Sequence, residues 1–210
     1  MKIAIIGAAG KAGSRILKEA SDRGHQVTAI VRHPEKVDKN IPYLQKDILE
    51  LTRSDLEPFD VVVNAFSAPA GRGNIHIEAG RVLIRALSGT DTRLIVVGGA
   101  GSLYVDEAET VRLIDTPEFP KQFFEAASKQ TKNLEELQQS ENLNWTFLSP
   151  SAMFALGKRT GHYKTGHNRL LVNSDGKSYV SYEDYAAALV DEMEHPEHLN
   201  ERFTVVSESE

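Results

Sequence analysis

The sequence predicts an α/β fold of the doubly wound type, in which a parallel sheet is covered by helices on both faces. Short apolar runs alternate along the chain with segments of helical periodicity. A glycine-rich turn, residues 7–13, joins the first apolar run to the first helical segment. The length of 210 residues suits one well-buried domain of this type and leaves no room for a second large one. We therefore expect a single domain over residues 1–210, with residues 151–180 as a small C-terminal substrate cap.

Composition and charge narrow the possible partners. The chain has 24 Lys and Arg against 30 Asp and Glu, a net charge of -6, and neither sign forms a run that suits nucleic acid or an anionic membrane. No apolar stretch reaches the roughly 18 residues of a transmembrane helix, and the N-terminus lacks the pattern of a secretory signal. The absence of cysteine excludes thiolate chemistry and cysteine-ligated metals. We expect a cytoplasmic monomer or homodimer that acts on a small molecule.

The glycine-rich turn carries the strongest functional signal. The apolar run at residues 3–6 predicts a buried strand, and three glycines spaced three apart follow it and open a helix. Such a turn lets a pyrophosphate approach the backbone and meet the positive end of the helix dipole. The alternative is a glycine-rich turn without a ligand. The predicted cofactor contacts here are Gly7, Ala9, Gly10, Lys11, Ala12 and Gly13.

The second strand indicates which dinucleotide is bound. Residues 14–23 predict the first helix, Gly24 ends it, and residues 26–31 predict the next strand. In dinucleotide sites an acidic residue after this strand binds the ribose of NAD, whereas an arginine accommodates the 2′-phosphate of NADP. Arg32 stands there with no acidic residue directly at the strand end, which favours NADP while NAD remains possible. The alternative for Arg32 is a solvated loop cation.

The third and fourth strands extend the predicted site. After a short strand at residues 42–45, Asp47 is placed to accept a hydrogen bond from adenine and Ile48 to pack on its ring, although Asp47 fits equally well as a helix cap. Residues 60–63 predict the next strand. Its carboxyl end should form the floor beneath the cofactor, followed by a flexible loop at residues 68–74. The floor residues are Asn64, Ala65 and Phe66.

The fifth strand, residues 93–97, follows a helix at 75–87 and ends in Gly98, Gly99 and Ala100. Glycines at a strand end indicate close backbone approach, here to the nicotinamide. Ser102 is the nearest hydroxyl for a substrate carbonyl, and a turn serine without a role is the alternative. Residues 103–120 lack clean periodicity and predict a loop or lid.

The rest of the sequence predicts one long helix and, after a sixth strand, the small substrate cap. Residues 118–141 predict the helix, with Phe123, Ala127, Leu134 and Leu137 toward the core. A sixth strand at 144–149 leads into Pro150, a further cofactor contact. Residues 151–178 carry four glycines and predict the cap, followed by a helix from Ser181 and a strand at 202–206. His162 and His167 have no cysteine or carboxylate at ligand spacing beside them, so we predict no metal.

Six segments carry a resemblance to a known family and cover nearly the whole chain. They are residues 7–13, 32–36, 98–103, 159–163, 182–191 and 202–205. In them the chain resembles the bacterial NADH-flavin reductase family, an atypical branch of the short-chain dehydrogenase/reductases related to NmrA-like proteins and biliverdin reductase B. The G-x-x-G-x-x-G spacing of the turn is also typical of extended and atypical members. The resemblance implies a Rossmann fold, a nicotinamide cofactor and a planar acceptor similar to a flavin or quinone.

One feature of the larger short-chain family is missing. Its long helix carries Tyr-x-x-x-Lys, in which the tyrosine donates a proton to a carbonyl and the lysine holds the nicotinamide ribose. None of the six tyrosines has a lysine four residues later. Lys129 and Lys132 lie on the predicted helix, and either is a candidate for the ribose or a solvated surface lysine.

The missing tyrosine leaves two functions open. A reductase that passes a hydride to a flavin or quinone needs no strong acid, so the sequence fits an NADPH-dependent enzyme of this type. It fits equally well an NmrA-like sensor that binds the dinucleotide without turnover. An epimerase is disfavoured, because that chemistry relies on the absent tyrosine.

Overall fold

The computed structural model describes residues 1–69 and 71–208. Residue 70, inside the predicted loop at 68–74, and residues 209 and 210 lie outside the described part. The strands are β1 Lys2–Ile6, β2 Gln26–Val31, β3 Tyr43–Gln45, β4 Val61–Asn64, β5 Arg93–Val97, β6 Trp145–Ser149, β7 Met153–Ala155, β8 Tyr163–Gly166, β9 Tyr179–Ser181 and β10 Glu201–Ser207. The helices are α1 Lys11–Asp22, α2 Arg53–Leu56, α3 Asn74–Leu87, α4 Lys121–Gln138 and α5 Tyr182–Glu194.

Eight strands form the main sheet in the order β3-β2-β1-β4-β5-β6-β10-β8. All neighbouring pairs are parallel except β10 and β8. The doubly wound α/β prediction is confirmed, with one antiparallel edge strand that the sequence analysis did not anticipate. The strand order reverses between β1 and β4. In such sheets the ligand lies outside the carboxyl ends of the strands at this reversal.

The central strand β1 shows why its sequence is an unbroken apolar run. Ile3 and Ile5 pack in the core cluster that includes residues of α1 and α5. Ala4 and Ile6 pack in the second cluster, with residues of α3 and α4. All four side chains are at most 3% exposed. Both faces of β1 are therefore covered by helices, as in other buried parallel strands.

The cap expected over residues 151–180 is only partly a separate layer. Strand β8 joins the main sheet, while β7 and β9 pair with each other in a parallel two-stranded unit. The carboxylate of Asp184 is fully buried and accepts hydrogen bonds from the backbone N–H groups of Thr160 and Gly161, at 2.7 and 2.9 Å. It also accepts from the hydroxyls of Thr160 and Ser207. This carboxylate fixes the loop before β8 to the start of α5.

The long helix begins later and ends earlier than the predicted 118–141. Ala127, Leu134 and Leu137 are buried as expected. The prediction for Phe123 was wrong, since 56% of this residue is exposed. The reason is that the first turns of α4 lie over an open cleft and only its later turns pack on the sheet.

The segment expected as a loop or lid, residues 103–120, is held at its base. The N–H of Tyr104 donates to the carbonyl of Asn168 at 2.9 Å, and the N–H of Leu170 donates to the carbonyl of Tyr104 at 2.8 Å. Val105 and Val111 are joined by a further backbone hydrogen bond. These bonds tie the start of the segment to the loop that follows β8.

The turn between β1 and α1 is built by close backbone approach. Gly7 has a φ of +77°, and a Cβ placed there would lie 2.7 Å from the carbonyl oxygen of Ala65, which follows β4. Gly24, which ends α1, has a similar φ of +81° but open space around its missing Cβ. Both positions therefore require a residue that adopts a positive φ, but only at Gly7 would a side chain also collide with neighbouring atoms.

This difference predicts unequal costs for two alanine substitutions. Gly24→Ala should lower the free energy of unfolding by about 1 kcal/mol, because alanine is disfavoured at positive φ. Gly7→Ala should cost about 2–4 kcal/mol, since a steric clash with the β4 end adds about 1–3 kcal/mol. Urea denaturation of both variants measures the two values. Equal losses would contradict the close approach.

Candidate functional site

A cleft of about 980 Å³ runs along the carboxyl ends of the central strands. It is lined by the glycine-rich turn, the ends of β2, β5 and β6, the first turns of α4 and the start of α5. It lies at the reversal of strand order between β1 and β4, where the topology places a ligand. Its lining joins segments that are far apart in the sequence.

The glycine-rich turn presents bare backbone to this cleft. Gly7, Gly10 and Lys11 line it together with Ala9 and Ala12. The cap residue Gly10 supplies no side chain to the first turn of α1, and that turn contains no acidic residue. The free N–H groups and the positive dipole end of α1 are thus left available for an anion.

Gly13 has a packing role instead. It does not appear in the cleft lining of the described residues, and a Cβ on it would lie 2.3 Å from the carbonyl oxygen of Gly7. The third glycine of the motif therefore lets α1 lie against the turn, and the structure does not support the cofactor contact expected of it.

One end of the cleft is basic. Arg32 and Lys36 line it after β2, and Lys46 lines it after β3. The guanidinium of Arg32 is largely exposed and stands 3.7 Å from the carboxylate of Asp47, whereas the ammonium of Lys46 lies 2.7 Å from Asp55. Arg32 and Lys36 are therefore more available than Lys46 to bind a further anion.

Asp47 and Ile48 serve the fold rather than the cleft. The carboxylate of Asp47 accepts a hydrogen bond from the N–H of Leu49 at 2.9 Å, which is the capping alternative. Ile48 is 4% exposed and belongs to the core. In the described residues neither side chain is part of the lining, so the structure does not support the adenine contacts expected of them.

The floor of the cleft comes from the chain after β4. Ala65 and Phe66 line it as expected, together with Ser67. Asn64 is buried, and its side-chain oxygen accepts a hydrogen bond from the N–H of Phe66 at 3.1 Å. Asn64 thus shapes the floor through the backbone without lining it.

The end of β5 approaches the cleft as expected, but Ser102 does not. Gly98, Gly99 and Ala100 line the cleft, as does Pro150 after β6. The lining passes from Gly101 to Leu113 without Ser102 in the part of the chain that the structure describes. Ser102 is 7% exposed, and its hydroxyl accepts a hydrogen bond from Arg202 at 3.2 Å.

Arg202 fixes this turn from behind. Its guanidinium also donates to the side-chain oxygen of Asn168 at 2.9 and 3.1 Å. Burial lowers the pKa of Arg202 below its ordinary value. The buried contact between Arg202 and Ser102 therefore gives the serine a structural partner in place of a substrate.

The helix α4 presents one stripe to the cleft at positions i, i+3, i+4 and i+7. These residues are Phe123, Ala126, Ala127 and Gln130. In this stripe, residues four apart are Phe123 with Ala127 and Ala126 with Gln130, so it contains neither the tyrosine nor the lysine of the larger family. The helical spacing from Phe123 was the signal that would have identified Gln130 from sequence.

Gln130 faces the end of β5. A Cβ on Gly99 would lie 2.2 Å from the side-chain oxygen of Gln130, so the absent side chain leaves the space that the carboxamide occupies. Within residues 1–69 and 71–208 no hydrogen-bond partner is assigned to this carboxamide, which lines the cleft. It is therefore free to bind a ligand.

The two candidate lysines lie outside the lining. Lys132 donates to the carboxylate of Glu135 at 3.1 Å. Lys129 is partly buried, and its side chain approaches Gly73, where an added Cβ would lie 3.2 Å from its Cγ. Lys129 therefore lies against the start of α3, while Lys132 is engaged on the helix surface.

Aromatic side chains line the cleft where the cap meets it. Phe154 and Tyr182 pack with ring centroids 4.2 Å apart, and Phe119 and Phe123 line the cleft from the side of α4. Burial raises the pKa of the Tyr182 phenol above its ordinary value, so the phenol stays protonated at neutral pH. Tyr182 was not predicted as a site residue, because its sequence position indicates only the start of a helix.

The loop before β8 is tied to α1. Both guanidinium nitrogens of Arg159 that face Glu19 lie 2.7 Å from its carboxylate, and Arg23 makes a second pair with it. The hydrogen bonds from Arg159 lower the pKa of Glu19 below its ordinary value, and Arg23 adds to this effect against the opposing effect of burial. These contacts hold the cap segment against the last turns of α1.

The described residues give no sign of a membrane span or a metal centre. No helix among them is long and apolar enough to cross a bilayer. No group of three or more histidine and acidic side chains in residues 1–69 and 71–208 is placed to hold a metal ion.

Known proteins share this fold and sequence. The chain matches the NAD(P)H-binding family over residues 7–196. It is 60% identical over 213 residues to the uncharacterized protein YwnB of Bacillus subtilis (strain 168), with 100% of both chains covered. A Streptococcus pneumoniae structure described as a "putative NADH-flavin reductase" is 43% identical, with a TM-score of 0.93 over 99% of each chain. A Bacteroides thetaiotaomicron structure described as a "putative epimerase" is 36% identical, with a TM-score of 0.86 over 100% of this chain and 98% of that one.

These matches confirm the kinship expected from the six sequence segments. The matched range includes the glycine-rich turn, the basic end of the cleft and the start of α5. The chain therefore belongs to the NAD(P)H-binding family of oxidoreductases, whose cofactor is a nicotinamide dinucleotide.

Proposed function

We propose that this protein is an NADPH-dependent reductase that passes a hydride to a planar acceptor of the flavin or quinone type. The observation that carries the proposal is one continuous cleft that joins a glycine-rich anion site and a basic end to an aromatic region. An elongated dinucleotide has its anionic and its reactive parts at separate places along such a path. The name given to the Streptococcus pneumoniae relative supports the same reaction class. We place the activity in the cytoplasm.

The preference for NADPH rests on the basic end. Arg32 has a flat guanidinium suited to paired hydrogen bonds with a phosphate, and Lys36 adds a second positive charge beside it. The residue directly after β2 is Arg32, so no carboxylate stands there to bind the ribose hydroxyls of NAD. Asp47, the acidic side chain nearest to Arg32, is occupied as a cap.

The cleft acts mainly by holding two flat groups together. When bound, the nicotinamide supplies a hydride, and the acceptor gains two electrons with that hydride and one proton from solvent. Gly98 and Gly99 line the cleft at the end of β5, where their missing side chains leave room for the ring of Phe147 and the carboxamide of Gln130. Gln130 in turn offers its amide to a bound ring. The aromatic side chains of the lining exclude water from the ring faces. Proximity and orientation account for the rate in this scheme.

Two other functions remain as rivals. The α4 stripe contains no tyrosine that could donate a proton, which fits a sensor that binds the dinucleotide without turnover. The name of the Bacteroides thetaiotaomicron relative indicates an epimerase. That chemistry relies on a tyrosine acid, and the α4 stripe holds alanine, glutamine and phenylalanine.

Turnover is the direct test of the proposal. Purified protein with NADPH should oxidise the cofactor only when riboflavin, FMN or a small quinone is added, as followed by the loss of NADPH absorbance. Reactions without protein and without acceptor provide the controls. Tight NADPH binding with no oxidation on any of these acceptors would favour the sensor.

Arg32→Ala tests the choice of cofactor. It should weaken NADPH binding about tenfold or more and leave NADH binding unchanged, because a charge-assisted hydrogen bond contributes about 1.5–3 kcal/mol. Calorimetric titration of both cofactors measures this. Arg85→Ala, which removes an exposed arginine from α3, is the matched control. An unchanged ratio of NADPH to NADH affinity in Arg32→Ala would refute the assignment.

Gln130→Ala tests the contact at the nicotinamide end. We expect the NADPH dissociation constant to rise about three- to tenfold with little change in stability, since one neutral hydrogen bond contributes about 0.5–1.5 kcal/mol. Gln138→Ala, an exposed glutamine two turns along α4, should have no effect. Lys129→Ala is the informative comparison. A loss of affinity in Lys129→Ala but not in Gln130→Ala would assign the contact to the lysine instead.

A further inference from the structure

Charge is distributed unevenly along the cleft. In the part of the chain that the structure describes, the lysines and arginine that line it are Lys11 on the glycine-rich turn and Arg32, Lys36 and Lys46 at the basic end. The lining contributed by residues 113–130 has a different character. It contains several apolar and neutral side chains and one acidic side chain, Glu118. The main residues of this second region are Leu113, Thr116, Glu118, Phe119, Phe123 and Gln130.

The cations within or next to residues 113–130 do not line this region. The side chain of Lys129 lies against Gly73, outside the lining. Arg112 lies 2.8 Å from the carboxylate of Asp115, and Lys132 lies 3.1 Å from Glu135. Lys121 is exposed and stands two positions before Phe123, roughly 200° around the helix from it. Because Phe123 faces the cleft, Lys121 lies on the opposite side of α4 and points away from the cleft.

We infer that the acceptor is an uncharged planar ring, without a phosphate or carboxylate, and that Glu118 helps to select it. The inference rests on the proposed reductase function and specifies its substrate class. A phosphate group carries a charge of about -1.5 to -2 at neutral pH and is stabilised by arginine or lysine. In this region it would meet the carboxylate of Glu118 and no cation of the lining. Riboflavin and simple quinones suit this region better than FMN and FAD, which carry phosphate.

Direct binding measures the preference without depending on turnover. The probes are two matched pairs, riboflavin with FMN and 1,4-naphthoquinone with its 2-sulfonate, titrated into protein saturated with NADP⁺. Fluorescence quenching reports the flavins and calorimetry reports the quinones. The neutral member of each pair should bind about three- to fivefold more tightly, as expected for one exposed like-charge contact. The difference should widen at low ionic strength.

Glu118→Gln tests the residue, and Glu107→Gln is its control. Glu107 is an exposed glutamate on the same segment, outside the cleft lining, and its substitution changes the net charge equally. Glu118→Gln should reduce the difference in affinity between the neutral and the charged probe of each pair, and Glu107→Gln should leave that difference unchanged.

The outcomes separate this inference from the proposed function. Equal or tighter binding of FMN and the sulfonate by the native protein would overturn the inference, as would failure of all four probes to bind. An identical effect of both glutamine variants would remove Glu118 from the selection. If the neutral rings bind preferentially but NADPH is not oxidised, the reductase proposal fails while the preference for an uncharged ring stands.

Discussion

The structure depends on the contact between the turn after β1 and the end of β4. Gly7 is placed so closely over the carbonyl of Ala65 that a side chain has no room there, and Gly13 packs still more closely on the carbonyl of Gly7. These two contacts set the distance between the start of α1 and the sheet. The amino end of α1 then faces the carboxyl ends of the strands, which is the geometry that an anion needs. Every other part of the cleft is arranged around this point.

The remaining walls are fixed by buried polar groups at the back of the site. Asp184 holds the loop before β8, and Glu19 joins the same loop to α1 through Arg159. Arg202 supports the turn after β5 through Ser102. A buried charge is costly unless it is paired or hydrogen-bonded, so each of these groups has one well-defined arrangement. The cleft walls are thereby positioned by side chains that do not themselves face the ligand.

The same scaffold is associated with different names among its relatives, one a reductase and one an epimerase. Fold therefore does not decide the reaction, and the cleft-facing side chains must. In this chain they divide the cleft into a basic region beyond β2 and a region from 113 to 130 with a single carboxylate. The basic region suits the proposed cofactor, which carries the phosphates, and the second region suits the proposed acceptor, which carries none.

Local sequence patterns determined the fold class, the glycine-rich turn and the place of Arg32. Apolar periodicity and glycine spacing depend on residues that are neighbours in the chain, so they can be read directly from it. Tertiary structure alone decided which side chains face the cleft. Phe123 and Gln130 line it while Lys129 and Lys132 do not, because the helix face that meets the sheet is set by packing between distant segments. Ser102 likewise acquired its partner from Arg202, 100 residues away. Such contacts arise only when the fold brings distant segments of the chain together.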